Sequence, residues 1–418
     1  MQIDKLYRCL DKLVVHKEDF FSFLKARWQS LFGIGFDVLL YDLTSTYFEI
    51  DAATTSGGEG KRRFGYSRDK RPDCVQVVIA LIVTPEGLPL AYEVMPGNTP
   101  DNTTLADFLA KIEAQYGKAN RTWVMNRGIP TEDVLAEMRR ADPPVHYLVG
   151  TPKGRLNRLE KALIDKPWHD ARPGVQVKLL AQDGELYIFA ASRDRVAKER
   201  AMRRRRLKKL WRRLGQLRQQ RLSRDQLLLK LGAAKKEAGR VYAVVDIRLP
   251  GNGQPVSPAT FSYTLHKDKL RATRRREGRY LLRTNLSDAD PVRLWRYYIQ
   301  LTEIEQAFKE LKGDLAIRPI YHQLDHRIEA HIFVAFVAYC LLVTLKQRLR
   351  ALAPGLTPRA VLEKFCAMQM VDVDLPTTDG RHLILPRYTQ PDRDQLLLLQ
   401  RLKLTLPPQP PPRITAAA

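Results

Sequence analysis

The sequence predicts a mixed α/β fold in which a β-rich insertion separates a central sheet from a helical C-terminal part. Three apolar, β-branched strands follow one another near the start, at Val38–Ile50, Val75–Thr84 and Leu88–Val94. From about residue 152 the pattern changes to short strands and a highly charged helical block. From Asp288 onward, apolar residues recur at helical spacing. These observations indicate a sheet-based core interrupted by a second unit.

Four further elements complete the first part of the predicted core. Two helices are expected at Thr104–Tyr116 and Thr131–Ala141, and two strands at Thr122–Met125 and Val145–Thr151. The resulting order, βββαβαβ, is that of the ribonuclease-H-like fold, a mixed sheet flanked by helices. Because the first and fourth strands of that sheet lie side by side, residues on them are expected to meet.

The same patterns predict the division of the chain. The segments are a helical lead-in (1–35), the first part of the ribonuclease-H-like core (36–151), a β-rich insertion with a basic helical arm (152–286), the core helices (287–352) and a C-terminal extension with a proline-rich, disordered tail (353–418).

The charge of the chain predicts a polyanionic partner. The formal net charge is +24 with a pI near 9.9, which favours nucleic acid first and an anionic membrane surface second. Residues 193–240 contain nineteen Lys or Arg and only four acids. A solvated basic helix is the alternative, but this density favours an arm that contacts DNA phosphates. The arm's candidate residues are Arg203, Arg204, Arg205, Arg206, Lys208 and Lys209.

Cysteine usage and hydropathy predict a protein of the reducing cytoplasm. The four cysteines are far apart, which argues against a zinc ribbon and against a disulfide framework. The first residues contain no apolar signal segment. The most apolar run, His331–Leu345, is shorter than the roughly 20 residues of a membrane span, so we expect a buried helix and no membrane partner.

Three polar positions form the predicted catalytic site: Asp42 on the first strand, Asn126 after the fourth, and Glu305 on a late helix. Cleavage of phosphodiesters commonly uses two divalent cations about 3.5–4 Å apart, and Mg²⁺ prefers carboxylate ligands. An aspartate inside an apolar strand is costly unless it is paired or metal-bound, which favours a functional Asp42. Asn126 taken alone would be a turn residue, and Glu305 a solvated helix acid.

Several segments together resemble bacterial insertion-sequence DDE transposases of the group with a β-rich insertion before the catalytic glutamate. The segments are YDLTSTYFE, GYSRDKRPDCVQVVIALIVTPEGLPLAYEVMPGN, WVMNRG, YLLRTNLSDADP and IEQAFKELKGDLAIRPIYH. The resemblance implies that Asp42 is the first catalytic aspartate and Glu305 the glutamate. Asn126 then stands where the group has its second aspartate. The implied cofactor is a pair of Mg²⁺ ions, or Mn²⁺, bound by these three residues.

The resemblance also implies a helical signature of Tyr, Arg, Glu and Lys. Tyr298, Glu305 and Lys312 match three of its positions and would share one helical face beside a phosphate, whereas Leu301 occupies the Arg position. Arg127 and Lys309 are further candidates for phosphate contact.

The implied activity is metal-dependent cleavage of transposon ends and transfer of the 3′-OH strand into target DNA by a homodimer. A catalytically impaired or repurposed copy that binds DNA without cutting it is the alternative, because Asn126 lacks a negative charge. The resemblance begins near Met1, which suggests an N-terminally truncated copy.

Overall fold

The computed structural model describes residues 3–49, 60–117, 121–152, 155, 159, 162–288 and 290–415. The chain divides into two compact units. The first comprises Met1–Val145 and Gln300–Ala418, and the second comprises His146–Ile299. The predicted insertion, 152–286, falls inside the second unit.

The first unit contains most of the elements predicted for the core. In chain order they are α1 (Ile3–Val14), α2 (Lys17–Phe32), β1 (Val38–Tyr47), β2 (Gln76–Val83), β3 (Pro89–Pro96), α3 (Leu105–Tyr116), β4 (Thr122–Met125) and α4 (Glu132–Arg140). The strands and helices that follow the lead-in match their predicted positions to within a few residues.

The sheet of the first unit has the order β3-β2-β1-β4 and is mixed. β1 runs antiparallel to β2, with Asp42 opposite Leu81, and parallel to β4, with Tyr41 opposite Met125. Every residue of β2 is buried, as its continuous apolar sequence requires. The predicted pairing of the first and fourth strands is therefore confirmed. It places Asn126, which follows Met125, beside Asp42.

The second unit has its own antiparallel strands and a helical hairpin. In chain order its elements are β5 (His146–Gly150), β6 (His169–Arg172), β7 (Val175–Gln182), β8 (Glu185–Ser192), α5 (Arg193–Gln219), α6 (Arg224–Ala238), β9 (Val245–Arg248), β10 (Ser262–Leu265), α7 (Lys267–Arg275), β11 (Arg279–Thr284) and α8 (Pro291–Ile299). The larger set of strands has the order β5-β11-β8-β7-β6. Leucines at every third or fourth position of α5, including Leu210, Leu214 and Leu217, pack against α6 and hold the hairpin together.

The helical part returns to the first unit after Gln300. Its elements are α9 (Leu301–Lys312), α10 (Asp325–Leu352), α11 (Pro358–Phe365), β12 (Met370–Pro376), β13 (His382–Tyr388), α12 (Arg393–Leu402) and β14 (Arg413–Thr415). α9 packs against β1 and β2, which brings a helix onto the face of the sheet that carries Asp42. The backbone N–H of Ile320 then donates to the Tyr47 carbonyl over 3.1 Å, so the chain after α9 extends along β1.

α10 is longer than the apolar run that the sequence identified. It has 28 residues and a mean hydropathy of 2.1 in its most apolar window, so its length and composition would allow it to cross a membrane. Half of that window is buried within the protein. Glu329 on this helix binds Lys17 of α2 over 3.0 Å, and Thr344 accepts from the indole of Trp28 over 2.9 Å. These contacts are those of a core helix, as the sequence predicted.

Four local expectations differ from the structure. The helix predicted from Asp288 is divided at Gln300, and α8 packs against β5, β6, β7 and β8 of the second unit through buried Leu294 and Trp295. The apolar, β-branched sequence of Val241–Leu249 predicts a strand, but its first residues belong to a 3₁₀ helix, Gly239–Val244. Neither β6 nor α7 was predicted from the sequence, because each is short and polar.

The C-terminal tail also differs from expectation. β14 pairs with β13, and β12, β13 and β14 form a sheet in that order. Before β14, the side chain of Gln409 accepts a hydrogen bond from the Tyr388 backbone over 3.0 Å. The prolines therefore lie in an extended segment whose neighbours satisfy hydrogen bonds of β13, and this segment is not the disordered tail that its composition suggested.

Candidate active site

Asp42 is the centre of the candidate site. It lies on β1 among buried neighbours, and its Oδ1 accepts the backbone N–H of Leu43 over 2.9 Å. Burial, and to a smaller extent the negative charge of Glu305, raises the pKa of Asp42, whose net value is about 6. The hydrogen bond from Leu43, the positive charge of Arg68 and the hydrogen bond from Asn126 oppose this increase. Asp42 is thus a desolvated carboxylate next to a second acid.

Asn126 meets Asp42 directly, as the strand order predicted. Its Nδ2 donates to Oδ2 of Asp42 over 3.2 Å, and its backbone carbonyl accepts from Ile129 in the turn that follows β4. Thr131 is the N-cap of the next helix, α4, and its side chain accepts the backbone N–H of Val134 over 3.2 Å. Asn126 therefore has both roles considered from the sequence: it closes a turn and it contacts the first acid.

Glu305 is the acid of α9 whose charge raises the pKa of Asp42, whereas the two nearby glutamates of the same helix contact other residues. Glu303 faces Lys346 over 3.5 Å and Arg350 over 3.9 Å, whereas Glu310 accepts from Gln306 over 2.8 Å. Glu305 is exposed and is the glutamate of this helix whose charge raises the pKa of Asp42. The structure therefore places Asn126 in contact with Asp42, and Glu305 near enough for its charge to raise the pKa of Asp42.

Arg68 is a residue of this site that sequence reasoning missed. Its backbone N–H donates to the hydroxyl of Ser45 over 3.2 Å, which fixes the loop on the strand that carries Asp42. Its guanidinium forms an ion pair with Asp101 and favours the ionised form of Asp42. The segment GYSRDK, which carries part of the family resemblance, was the available signal for this arginine.

Asp69, the next residue, binds two cations from the end of α9 and the segment after it. Lys312 Nζ lies 2.8 Å from Asp69 Oδ1, and Arg318 binds the same oxygen. The side chains of Asp69 and Lys312 are only 6% and 13% exposed. Burial lowers the pKa of Lys312, and the hydrogen bond that Lys312 donates to Asp69 opposes that decrease. Lys312, predicted to hold a phosphate, thus has a protein carboxylate as its partner.

The other residues predicted near the phosphates have different positions. Arg127 and Lys309 are exposed, on the turn after β4 and on α9 of the first unit. Tyr298 is partly buried near the end of α8, in the second unit. Because the helix is divided at Gln300, Tyr298 does not share a continuous helical face with Glu305 and Lys312. Leu301, in the Arg position, is 4% exposed and belongs to the apolar core.

The basic arm is the first part of α5, in the second unit. Arg204, Arg205, Arg206, Lys208 and Lys209 are exposed. Lys209 lies 3.1 Å from Glu237 of α6. Arg203 differs from them, because its side chain is 7% exposed and paired with Glu277. Trp211 packs edge-on against Tyr263, with ring centroids 4.8 Å apart, and so anchors the helix.

Two histidines, one after α9 and one on α10, pack against each other. The rings of His322 and His331 meet edge to face, and His331 lies 3.2 Å from the carbonyl of Ile317. Burial lowers the pKa of both rings. Across the described residues, no group of three His, Cys, Asp or Glu side chains could hold a metal ion.

The residues of the site fit one divalent cation better than two. Asp42 and Glu305 supply two carboxylates whose mutual repulsion a cation would relieve. Asn126 can add a neutral oxygen ligand, although its nitrogen faces Asp42 in this arrangement. A third carboxylate, which would help to hold two dications close together, does not converge here within the described residues.

One comparison with known proteins confirms the family level of the resemblance stated from the sequence. A family model described as "Transposase DDE domain" matches residues 45–341, more than half of the chain. No curated protein matches the chain. Among solved structures, the chain is similar to a piggyBac transposase in a cryo-EM synaptic complex with hairpin DNA, at 7% identity and a TM-score of 0.37. That alignment covers 74% of this chain and 47% of the other, so this chain spans about half the length of that transposase. A likeness of this size carries no argument.

Proposed function

Because the chain belongs to the transposase DDE domain family, we propose that it acts on DNA as a transposase catalytic region. The proposed reaction is hydrolysis of a phosphodiester at each transposon end, which exposes a 3′ hydroxyl. That hydroxyl then attacks a phosphodiester of target DNA and displaces its 3′ oxygen. The proposal is supported by the contact between Asp42 and Asn126 on the parallel strands β1 and β4, together with the charge of Glu305 acting on Asp42.

The side chains of this site have distinct roles in the proposal. Asp42 and Glu305 would hold a divalent cation, Mg²⁺ or Mn²⁺, with Asn126 as a neutral third ligand. When bound, the cation would act as a Lewis acid and lower the pKa of water. Arg68 keeps Asp42 ionised, and Arg127 and Lys309 are exposed to meet phosphates. Tyr298 is proposed to contact DNA from the second unit.

The partner in this proposal is DNA, both at the transposon ends and at the target, and the working form is a homodimer in the cytoplasm. The concentration of positive charge on α5 supports DNA as the partner. Phosphate contacts of this kind position DNA without reading its sequence.

A second function is favoured by one specific observation, the amide at position 126. A neutral ligand gives a dication less stabilisation than a carboxylate does, so this copy is also a candidate for a DNA-binding protein that no longer cuts. The two functions share a fold and a partner and differ in cleavage.

Nicking of supercoiled plasmid DNA with Mg²⁺ or Mn²⁺ distinguishes these functions. For a working nuclease centre, the unaltered chain nicks the plasmid, Glu305→Gln abolishes nicking, and Glu303→Gln does not. Glu303→Gln is a matched control because it removes the same charge from the same helix. Binding of DNA without nicking in either metal would favour the second function. Equal nicking by the unaltered chain and Glu305→Gln would refute the proposed site.

A further inference from the structure

A cavity of about 360 Å³ in the second unit is lined by five arginines and lies apart from the residues assigned to the basic arm. The arginines are Arg193 and Arg200 of α5, Arg274 and Arg275 of α7, and Arg279 of β11. Two acids, Asp170 and Glu277, also line it, so positive charge is in excess.

Gly278 explains how the arginines of α7 come to lie beside α5. It has a φ of +74°, and a Cβ there would lie 2.2 Å from Val196 Cγ2 and 2.6 Å from the Ser192 carbonyl. Its carbonyl accepts from Ser192 over 3.0 Å, and its N–H donates to Glu199 over 3.1 Å. This close approach brings the turn that follows α7 against the first turns of α5. The cavity is therefore built by tertiary packing.

The carboxylate of Glu277 pairs with nearby arginines, but its single negative charge does not neutralise all of those that line the cavity. It is 4% exposed, pairs with Arg203 and lies 3.6 Å from Arg200. Burial lowers the pKa of Arg203, and the charges of Arg274, Arg200 and Arg204 lower it further. The guanidiniums are thus close enough to repel one another.

The other acid of the cavity has a neutral partner, because Asp170 accepts from Gln176 over 3.0 Å. Among the described residues, Arg193, Arg274 and Arg275 form no ion pair. Because these guanidiniums outnumber the nearby carboxylates, some of their N–H donors remain available to an anion. The planar arrangement of those donors matches the oxygens of a phosphate group.

We propose that this cavity binds a phosphodiester of the DNA backbone. The inference rests on the proposed function for its partner, and it extends the DNA contact beyond the basic stretch 193–240 to Arg274, Arg275 and Arg279. A neighbouring cavity of about 190 Å³ is lined by Arg200, Arg204 and Arg274, and by Arg203, whose charge is paired with Glu277. Exposed Arg205 and Lys208 follow on α5. This continuous row of cations suits a polyanion that runs along the helix, whereas a small free anion would need only the cavity.

The test measures binding of duplex DNA by the full chain over a range of salt concentrations, using fluorescence anisotropy. The variant is Arg274→Gln/Arg275→Gln, and the matched control is Arg393→Gln/Arg401→Gln, which removes the same charge from exposed positions on α12. If the variant loses its contact with one phosphate, the magnitude of the slope of log K against log salt should fall by about 0.9. We expect that reduction in the variant and a smaller one in the control. Denaturant unfolding verifies that both remain folded.

The outcomes separate this inference from the proposed function. If the unaltered chain binds DNA and the two variants have equal slopes, the cavity does not bind the backbone, and the proposed function stands. Inorganic phosphate serves as a second probe, and calorimetry measures its binding. If the unaltered chain binds phosphate and the variant does not, while the salt slopes of DNA binding are the same for both, the cavity binds a free anion and the inference is overturned. Failure of the unaltered chain to bind any duplex would overturn both.

Discussion

The amide of Asn126 donates a hydrogen bond to the carboxylate of Asp42 over 3.2 Å. A neutral donor thus stands where the family resemblance expects a second acid. The donor stabilises ionised Asp42, whereas an acid would repel it in the absence of a cation and join it in binding one. The single side chain at position 126 therefore decides how strongly this site holds a dication.

Asn126→Asp should tighten Mg²⁺ binding by at least about tenfold, because a third carboxylate adds at least about 1.4 kcal/mol of attraction. Calorimetric titration with Mg²⁺ at pH 8 measures the change. Asn126→Ala is the control, since it removes the hydrogen bond to Asp42 without adding charge. Equal Mg²⁺ affinity in the two variants would contradict the role assigned to position 126.

Mg²⁺ affinity of the unaltered chain should rise with pH and level off above about pH 7. The pKa of Asp42 is raised to about 6, so a proton competes with the cation below that pH. Titrations between pH 5 and 8 test this expectation, with Glu303→Gln as a charge control on α9. A flat profile would show that Asp42 is not a ligand.

The same pKa predicts an effect on stability with a defined sign. The pKa of Asp42 is about 6 in the folded protein, compared with its ordinary value of 3.8 in the unfolded chain. The folded state therefore loses stability as pH rises from about 3.8 to about 6, because Asp42 ionises more readily in the unfolded chain. Asp42→Asn should therefore increase the free energy of unfolding by about 1–3 kcal/mol at pH 7.5 and by little at pH 3.5. Urea unfolding at both pH values measures it. An equal effect at the two pH values would refute the linkage.

Asp69→Asn should destabilise the fold by about 3 kcal/mol, because it leaves Lys312 and Arg318 without their carboxylate in a poorly exposed place. Asp73→Asn is the control, since Asp73 pairs with Arg71 at an exposed position, and a much smaller loss of stability is expected. Denaturant unfolding gives both values. Adding Lys312→Met to Asp69→Asn should recover part of the stability. An additive double variant would show that the two residues are not coupled.

Neutralising Arg204, Arg205 and Lys208 to Gln should flatten the salt dependence of DNA binding, by about 0.9 in slope for each phosphate that is no longer neutralised. These side chains are exposed, so the free energy of unfolding should change little. Arg203→Gln is the contrasting variant. Its side chain is buried against Glu277, and its removal should lower stability and leave the slope nearly unchanged. The opposite pattern would exclude α5 as the DNA-binding arm.

The sequence by itself determined the order of β1, β2, β3, α3, β4 and α4 and the identity of the candidate acids. Continuous apolar runs and helical periodicity are local patterns, and they persist whatever lies nearby. The position of Asn126 beside Asp42 also followed from the sequence, since strand order and strand ends determine it. The division at Gln300 did not follow, because the pattern on both sides is helical.

The tertiary structure alone decided which charged residues are paired. Asp69 and Lys312 are 243 residues apart in sequence, and no local pattern indicates their contact. Arg203 and Arg204 are adjacent in one basic run, yet one is buried against Glu277 and the other is exposed. Ion pairing and burial depend on which side chains the fold brings within a few ångströms. The cations available to DNA are therefore those that packing leaves without a carboxylate.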